Sequence, residues 1–139
     1  MLRLAQILIV CLTLSAPAWA SGGLVVIVNK ASGVQRLSRD DAVNIFMGRY
    51  QRLPSGITAL PVDDNPLKAA FYQALVGRNL PQIRSYWARL IFSGQGSPPR
   101  QMNNADEVIT AVSENKGAIG YVDRAQVDNR VRVVLSLTP

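Results

Sequence analysis

Short runs rich in β-branched residues alternate along this chain with longer segments of helical periodicity, and this alternation constrains the fold more than any other feature. The first run, Leu24 to Val28, is continuously apolar, as in a strand covered on both faces. Further strands are predicted at 57–62, 117–122 and 131–137, and helices at 38–47, 65–76, 81–92 and 104–115. The order β-α-β-α-α-α-β-β predicts an α/β fold in which helices flank a mostly parallel sheet.

Capping residues set the predicted starts of three helices. Ser38 precedes two acids of a first helical turn, and Asn104 is followed three residues later by Glu107. Either Asp64 or Asn65 is expected to cap the helix that has a proline at its first position.

The first twenty residues have the pattern of a secretory signal peptide. Arg3 precedes an apolar run from Ile7 to Leu14, and Ala18-Trp19-Ala20 is a small-x-small cleavage pattern. The apolar run is shorter than the roughly 20 residues that span a bilayer, and no later segment is long enough to do so. We therefore predict a signal peptide at 1–20 and one domain at 21–139. The expected location is periplasmic or secreted, with no membrane insertion after cleavage.

The residue inventory argues against most enzyme chemistry. The chain has no histidine, and its one cysteine, Cys11, lies in the predicted signal peptide. The usual nucleophile–base pairs and soft metal ligands are therefore missing, and we predict no enzyme activity, no cofactor and no metal site. Removal of Arg3 with the signal lowers the net charge from +6 to +5, but the basic residues are scattered. Without a basic stripe, nucleic-acid binding is not expected.

Two adjacent acids, Asp63 and Asp64, stand where the second strand meets the next helix. They could serve acid–base catalysis or bind a hard cation through oxygen ligands. Adjacent residues at a strand end point to different sides, however, and a calcium loop would need a glycine and a distal glutamate that are absent here. The preferred interpretation is that one acid caps the helix while the other is solvated.

Glycines mark two further places of interest. Gly94 and Gly96 offer backbone N–H groups to an anion, but their loop follows a helix rather than opening one, so a simple connection is favoured. Gly117 and Gly120 flank a strand that another backbone or a ligand approaches closely. The hydroxyl of Tyr121 is then expected at a cleft or at the edge of the core.

Three stretches together resemble a known family. "LSRDDAVNIFMGRY", "LPVDDNPLKAAFYQAL" and "NKGAIGYVD" are similar to segments of the periplasmic substrate-binding proteins of phosphate ABC transporters, which have the type 2 periplasmic-binding-protein fold. The resemblance covers about 24–122. Family members are about twice as long and fold as two lobes around a ligand crevice, so the resemblance implies that this chain is a single lobe.

The resemblance also implies that the phosphate-binding residues are altered. Family members carry an arginine and then a Ser-Gly-Thr turn where this chain has Asp63-Asp64 and Leu67-Lys68-Ala69. We expect a non-enzymatic, solute-binding-like module that holds a small anion or polar solute weakly. The candidate contact residues lie at the expected carboxyl-end edge of the sheet, where open α/β folds bind ligands: Asn29, Asn65, Lys68 and Tyr121.

A second wall for such a ligand has to come from elsewhere, because one lobe offers only one wall. It could come from a second copy of the chain or from a membrane-bound transporter or sensor. The alternative function is a protein–protein interaction module with no small ligand. In that case Tyr86, Trp87 and Phe92 of the third helix form an apolar patch, unless their helical spacing places them in the core.

Overall fold

The computed structural model describes residues 23–137, and within this range five strands form one sheet flanked by four α-helices. The predicted signal peptide at 1–20 lies outside the described residues. No helix between residues 23 and 137 is long and apolar enough to cross a membrane. The strands are β1 (Leu24–Asn29), β2 (Leu60–Asp64), β3 (Arg100–Met102), β4 (Ala118–Asp123) and β5 (Val131–Ser136), and the helices are α1 (Arg39–Phe46), α2 (Lys68–Val76), α3 (Leu80–Phe92) and α4 (Ala105–Glu114).

The α/β class and the flanking helices are confirmed, but the sheet is mixed rather than mostly parallel. Its strand order is β3-β2-β4-β1-β5, and β2 runs parallel to both β3 and β4. Strand β1 is antiparallel to both of its neighbours, β4 and β5. Sequence periodicity reports burial on each face but carries no information on strand direction, so the antiparallel half was not predicted.

The helix caps explain why the helices start where they do. Ser38 accepts a hydrogen bond from the backbone of Asp41, and Asn104 accepts one from Glu107, as predicted. Helix α3 begins one residue earlier than predicted, because Asn79 and Gln82 form a reciprocal capping box. The predicted side-chain cap at Asp64 or Asn65 is wrong, since a 3-10 turn at Asn65–Leu67 leads into α2 with no side-chain cap.

The sheet separates two apolar layers. Val26 and Val28 of β1 face the layer beneath α1, α2 and α3, whereas Val25 and Ile27 face the layer beneath α4. Because β1 is buried on both faces, its continuously apolar sequence is explained. We refer below to the three-helix face and the α4 face of the sheet.

Two glycines permit close packing around β4. A Cβ atom on Gly117 would lie 2.0 Å from the carbonyl oxygen of Thr58, so backbone approaches backbone there, as predicted. A Cβ on Gly120 would lie 2.7 Å from Val108 and 2.8 Å from Val62, which places α4 directly against the strand. The close approach at β4 is therefore made by the chain itself.

Candidate functional site

The carboxyl end of β2 brings polar side chains together where a helix begins. Asp63 and Asp64 are the last residues of β2 and pair in register with Gln101 and Met102 of β3. The 3-10 turn and the first residue of α2, Lys68, follow directly. Ligands of open α/β folds bind at such strand ends, so we call this group of residues (Asp63, Asp64, Asn65, Lys68 and Gln101) the carboxyl-end site.

Asp63 is buried among hydrogen-bond donors. Its side chain is 1% exposed, and its Oδ1 accepts hydrogen bonds from the hydroxyls of Tyr72 at 2.8 Å and Tyr121 at 3.0 Å. Its Oδ2 accepts one from Nε2 of Gln101 at 2.8 Å and lies 3.8 Å from Nζ of Lys68. A carboxylate with three hydrogen bonds and a nearby ammonium group is well compensated for its burial.

The two tyrosines are held as donors by their surroundings. Burial raises the pKa of the Tyr72 and Tyr121 hydroxyls, and the negative charge of Asp63 raises both further. Phe71 stacks on Tyr121 with ring centroids 3.6 Å apart, and this contact fixes the ring that presents the hydroxyl. Both tyrosines therefore stay neutral and donate to Asp63 at physiological pH.

Lys68 and Gln101 cover the Asp63 carboxylate on the solvent side. Nζ of Lys68 donates to Oε1 of Gln101 at 3.1 Å, and Nε2 of Gln101 also donates to the carbonyl of Pro99 at 3.0 Å. Lys68 is 23% exposed, and Gln101 and Asn65 are exposed. An external ligand at this end of β2 meets these three side chains first.

Asp64 is equally buried but lacks comparable partners. It is 2% exposed, and its Oδ1 is a buried atom without a hydrogen-bond partner among residues 23–137. Because strand residues alternate in direction, it shares the α4 face with Val62. Burial raises the pKa of its carboxyl group. The interpretation that one acid caps a helix and the other is solvated is therefore wrong, because both are buried and neither caps.

The structure separates the four predicted contact residues. Tyr121 and Lys68 meet at Asp63, and Asn65 lies beside them on the 3-10 turn. Asn29 is the last residue of β1. Because β1 runs opposite to β2, Asn29 lies near the start of β2, at the opposite strand ends from Asp63. There its side chain donates to the carbonyls of Val112 and Ser113 and accepts from Ala31. The predicted ligand contacts of these four residues stay predictions.

Sequence analysis missed Tyr72 and Gln101. Tyr72 lies in a segment predicted only to be helical, and Gln101 lies in a segment without a predicted strand. A buried tyrosine needs a hydrogen-bond partner, so a tyrosine at a core position of α2 was a signal that a polar group lies opposite. For Gln101 the sequence offers no comparable signal. Within residues 23–137, no group of three or more His, Cys, Asp or Glu residues could hold a metal ion.

A cavity of about 660 Å³ lies at the other end of β2, where the strand begins. We call it the larger cavity. The start of β2, the start of β4 and the loop after α3 contribute to its lining, and the loop does so through Gly94, Gly96 and Ser97. None of the four predicted contact residues lines this cavity. The glycine loop thus borders a concave surface as well as connecting two elements.

Three solved structures with a similar fold bear names of phosphate transport or phosphate binding. An ABC-type phosphate transport receptor from Vibrio cholerae aligns with a TM-score of 0.63 and 18% identity, over 81% of this chain and 45% of that chain. A putative phosphate ABC transporter substrate-binding protein with bound phosphate from Clostridium perfringens aligns with a TM-score of 0.64 and 18% identity, over 81% and 44%. A possible phosphate binding protein from Planctomyces limnophilus DSM 3776 aligns with a TM-score of 0.57 and 16% identity, over 81% and 40%.

These likenesses confirm the predicted fold resemblance. The chain spans less than half the length of each of these three structures, as expected for a single lobe. No protein-family model and no curated protein matches the sequence. The comparison therefore establishes the fold, and the function is argued from the site.

Proposed function

We propose that this chain is a non-enzymatic, exported, solute-binding-like module with the fold of one lobe of the phosphate-binding proteins. In our proposal the ligand is a small anion or polar solute, bound weakly at the carboxyl-end site. The single observation that carries the proposal is the Asp63 cluster, because it stands where the family resemblance places phosphate-binding residues. The matched structures bear names of phosphate binding and transport, which supports a binding role.

The surroundings of Asp63 make free phosphate an unfavourable ligand for this chain when no partner is present. Its carboxylate already takes the donors of Tyr72, Tyr121 and Gln101. A carboxylate about 4 Å from a bound phosphate would oppose binding by roughly 1 to 4 kcal/mol, depending on the local dielectric. Pro66 also lacks an N–H group at the start of the 3-10 turn, where a bound anion would need one.

Asn65, Lys68 and Gln101 are the groups that we propose for solute contact. All three reach solvent at the carboxyl-end site, and together they offer an ammonium group and two amides. The amide of Asn65 can both donate and accept hydrogen bonds, whereas Gln101 already donates to Asp63 and Pro99 and offers a solute its oxygen. These groups suit a weakly charged polar solute better than a tetrahedral dianion. Lys68 provides the one charge for a small organic anion.

The non-enzymatic and exported parts of the proposal have separate support. Asp63 is engaged in three hydrogen bonds, and Asp64 is buried, so neither is available as a solvent-accessible acid or base. Export is supported by the signal-peptide pattern at 1–20, and the fold likeness to transport receptors fits a periplasmic location. Flat phosphoesterase screens with added magnesium are expected for the purified protein.

Isothermal titration tests the ligand proposal. The chain from Ser21 onward is titrated with phosphate, sulfate and a panel of small organic anions and neutral polar solutes, each to millimolar concentration. We expect heat from at least one member of the panel and no tight binding of phosphate. If no member of the panel gives a heat of binding, the solute-binding role is rejected. If the monomer binds phosphate with micromolar affinity, the argument from Asp63 is rejected.

A second candidate function is docking of a partner protein, and exposed apolar side chains favour it. Phe92 at the end of α3 is 95% exposed, and its neighbour Ile91 is also exposed. Tyr50 and Leu60 are half exposed and line the 660 Å³ cavity. Of the patch predicted from sequence, only Phe92 is exposed, because Trp87 is buried and the hydroxyl of Tyr86 donates to the carbonyl of Met47.

Light scattering after size exclusion distinguishes this candidate for the case of a second copy. Phe92→Ser removes the exposed ring and leaves the core intact, whereas substitution of Trp87 would disturb the core. A wild-type dimer that becomes monomeric with Phe92→Ser supports self-association through this surface. If the wild type is monomeric, a second copy of the chain is excluded as the partner. This candidate function then requires a membrane-bound transporter or sensor.

A further inference from the structure

A shallow depression between α1 and α2 gathers three arginines. It has a volume of about 330 Å³, and Arg39, Arg49 and Arg78 line it together with Asp40. Three guanidinium groups against one carboxylate leave an excess of positive charge over a small area. We call this surface the arginine depression. It is separate from the carboxyl-end site and from the larger cavity, because it shares no lining residue with either.

The arginine charges are not neutralised within the described part of the chain. The ion pairs between residues 23 and 137 join Lys68 to Asp63, and Arg130 to Asp106 and Asp128, so none involves an arginine of the depression. Arg49 makes one long hydrogen bond to Asn44 at 3.4 Å. The three positive charges outnumber the single carboxylate of Asp40, and an anionic partner would offset this excess.

The charges lie at two ends of the depression. Arg39 is the first residue of α1 and donates to the carbonyls of Ala74 and Leu75 at the end of α2, and Arg78 follows that end. Arg49 lies beyond the other end of α1. The eight residues of α1 span about 12 Å. A partner that contacts both ends therefore carries its negative groups roughly 10 Å apart.

The floor between these charges is apolar. Val43 of α1 and Val76 of α2 are partly buried there, and Met47 lies beneath them. A helix with two acids seven residues apart places them about 10 Å from each other on one face, with apolar residues between. Arginine around an apolar centre is common in protein–protein interfaces.

We propose that the arginine depression docks an acidic, amphipathic segment of a partner protein. Its carboxylates contact Arg49 at one end and Arg78, with Arg39, at the other, and its apolar residues cover Val43 and Val76. A small solute fits less well, because the volume is near the lower limit for ligand pockets and the arginines are open to solvent. The inference does not depend on whether the carboxyl-end site binds a solute.

Fluorescence anisotropy with a designed probe tests the proposal. The probe is a fluorescein-labelled helical peptide with two glutamates seven residues apart and leucines between them, and the reference peptide has glutamine in place of both. We expect the glutamate peptide to bind about tenfold more tightly than the reference at low salt, and the difference to shrink as salt screens the charges.

Matched variants separate this surface from general charge attraction. Arg49→Gln with Arg78→Gln should weaken binding about tenfold, while Arg39 is kept because it holds the end of α2. Arg84→Gln with Arg89→Gln removes the same charge from exposed positions of α3, and binding should change less than about twofold. Thermal unfolding of each variant confirms that it is folded.

Three results would overturn the proposal. The first is equal loss in both double variants, since general attraction would then explain the binding. The second is an absence of binding at about 1 mM probe in low salt, which corresponds to roughly 4 kcal/mol of binding free energy or less. The third is a small dianion such as suberate binding as tightly as the peptide, because the surface would then be a solute pocket.

Discussion

Asp63 and Asp64 are neighbours in sequence and equally buried, yet they face opposite sides of the sheet and have different hydrogen-bond partners there. On the three-helix face, Asp63 receives hydrogen bonds from two tyrosines and a glutamine. On the α4 face, Asp64 has a buried oxygen that no donor of the described residues reaches. Because a buried carboxylate is stabilised by the donors around it, we expect Asp63 to contribute favourably to stability and Asp64 unfavourably.

The largest expected effect comes from neutralising Asp63. Asp63→Asn should lower the free energy of unfolding by about 3 kcal/mol, because buried donors lose their charged acceptor and Lys68 loses its counter-charge. Urea denaturation measures the change. Tyr72→Phe, which removes one donor, should cost only about 1 kcal/mol. If Asp63→Asn costs no more than Tyr72→Phe, the cluster is not held together by the carboxylate.

An intermediate effect is expected on the α4 face from Gly120. Gly120→Ala should destabilise the protein by about 2 kcal/mol, because the new methyl group would overlap Val108 and Val62 and push α4 from the sheet. Gly96→Ala is the control, since its methyl group would meet only the Trp87 ring at an ordinary 3.9 Å. Equal midpoints for the two variants in thermal unfolding would show that the α4 face has room to adjust.

The smallest effect is expected from Asp64, with the opposite sign to Asp63. Burial raises the pKa of its carboxyl group in the folded state, so the folded protein loses stability as pH rises from the unfolded-state pKa through the folded-state pKa. Asp64→Asn should therefore be more stable than the wild type at pH 7, and the difference should vanish near pH 3. A variant that is less stable than the wild type at pH 7 would mean that Asp64 has a favourable partner.

Local features of the fold could be predicted from the sequence, whereas the contacts of the site could not. Ser38 and Asn104 mark the starts of α1 and α4, because each side chain accepts a hydrogen bond from the backbone three residues later. The Asp63 cluster instead joins residues 9 and 58 positions away, and no local pattern encodes such distances. Strand β3 has only three residues, two of them exposed, so it lacks the apolar alternation by which strands are recognised.

The direction of β1 was missed for a related reason. A strand buried on both faces has the same apolar sequence whether its neighbours are parallel or antiparallel. Strand direction determines which strand ends lie side by side. Because β1 is antiparallel to β4, the carboxyl end of β1 with Asn29 lies far from the carboxyl end of β2 with Asp63. The missed strand direction thus explains why the structure separates Asn29 from the other three predicted contact residues.

The position of β1 between β4 and β5 has a consequence for folding. The first described strand cannot complete its hydrogen bonds until segments about 90 to 110 residues later are available. Such long-range pairing slows folding and delays closure of the sheet until most of the polypeptide is present. A nascent chain lacking its last two strands would leave both edges of β1, whose first five residues are apolar, open to aggregation.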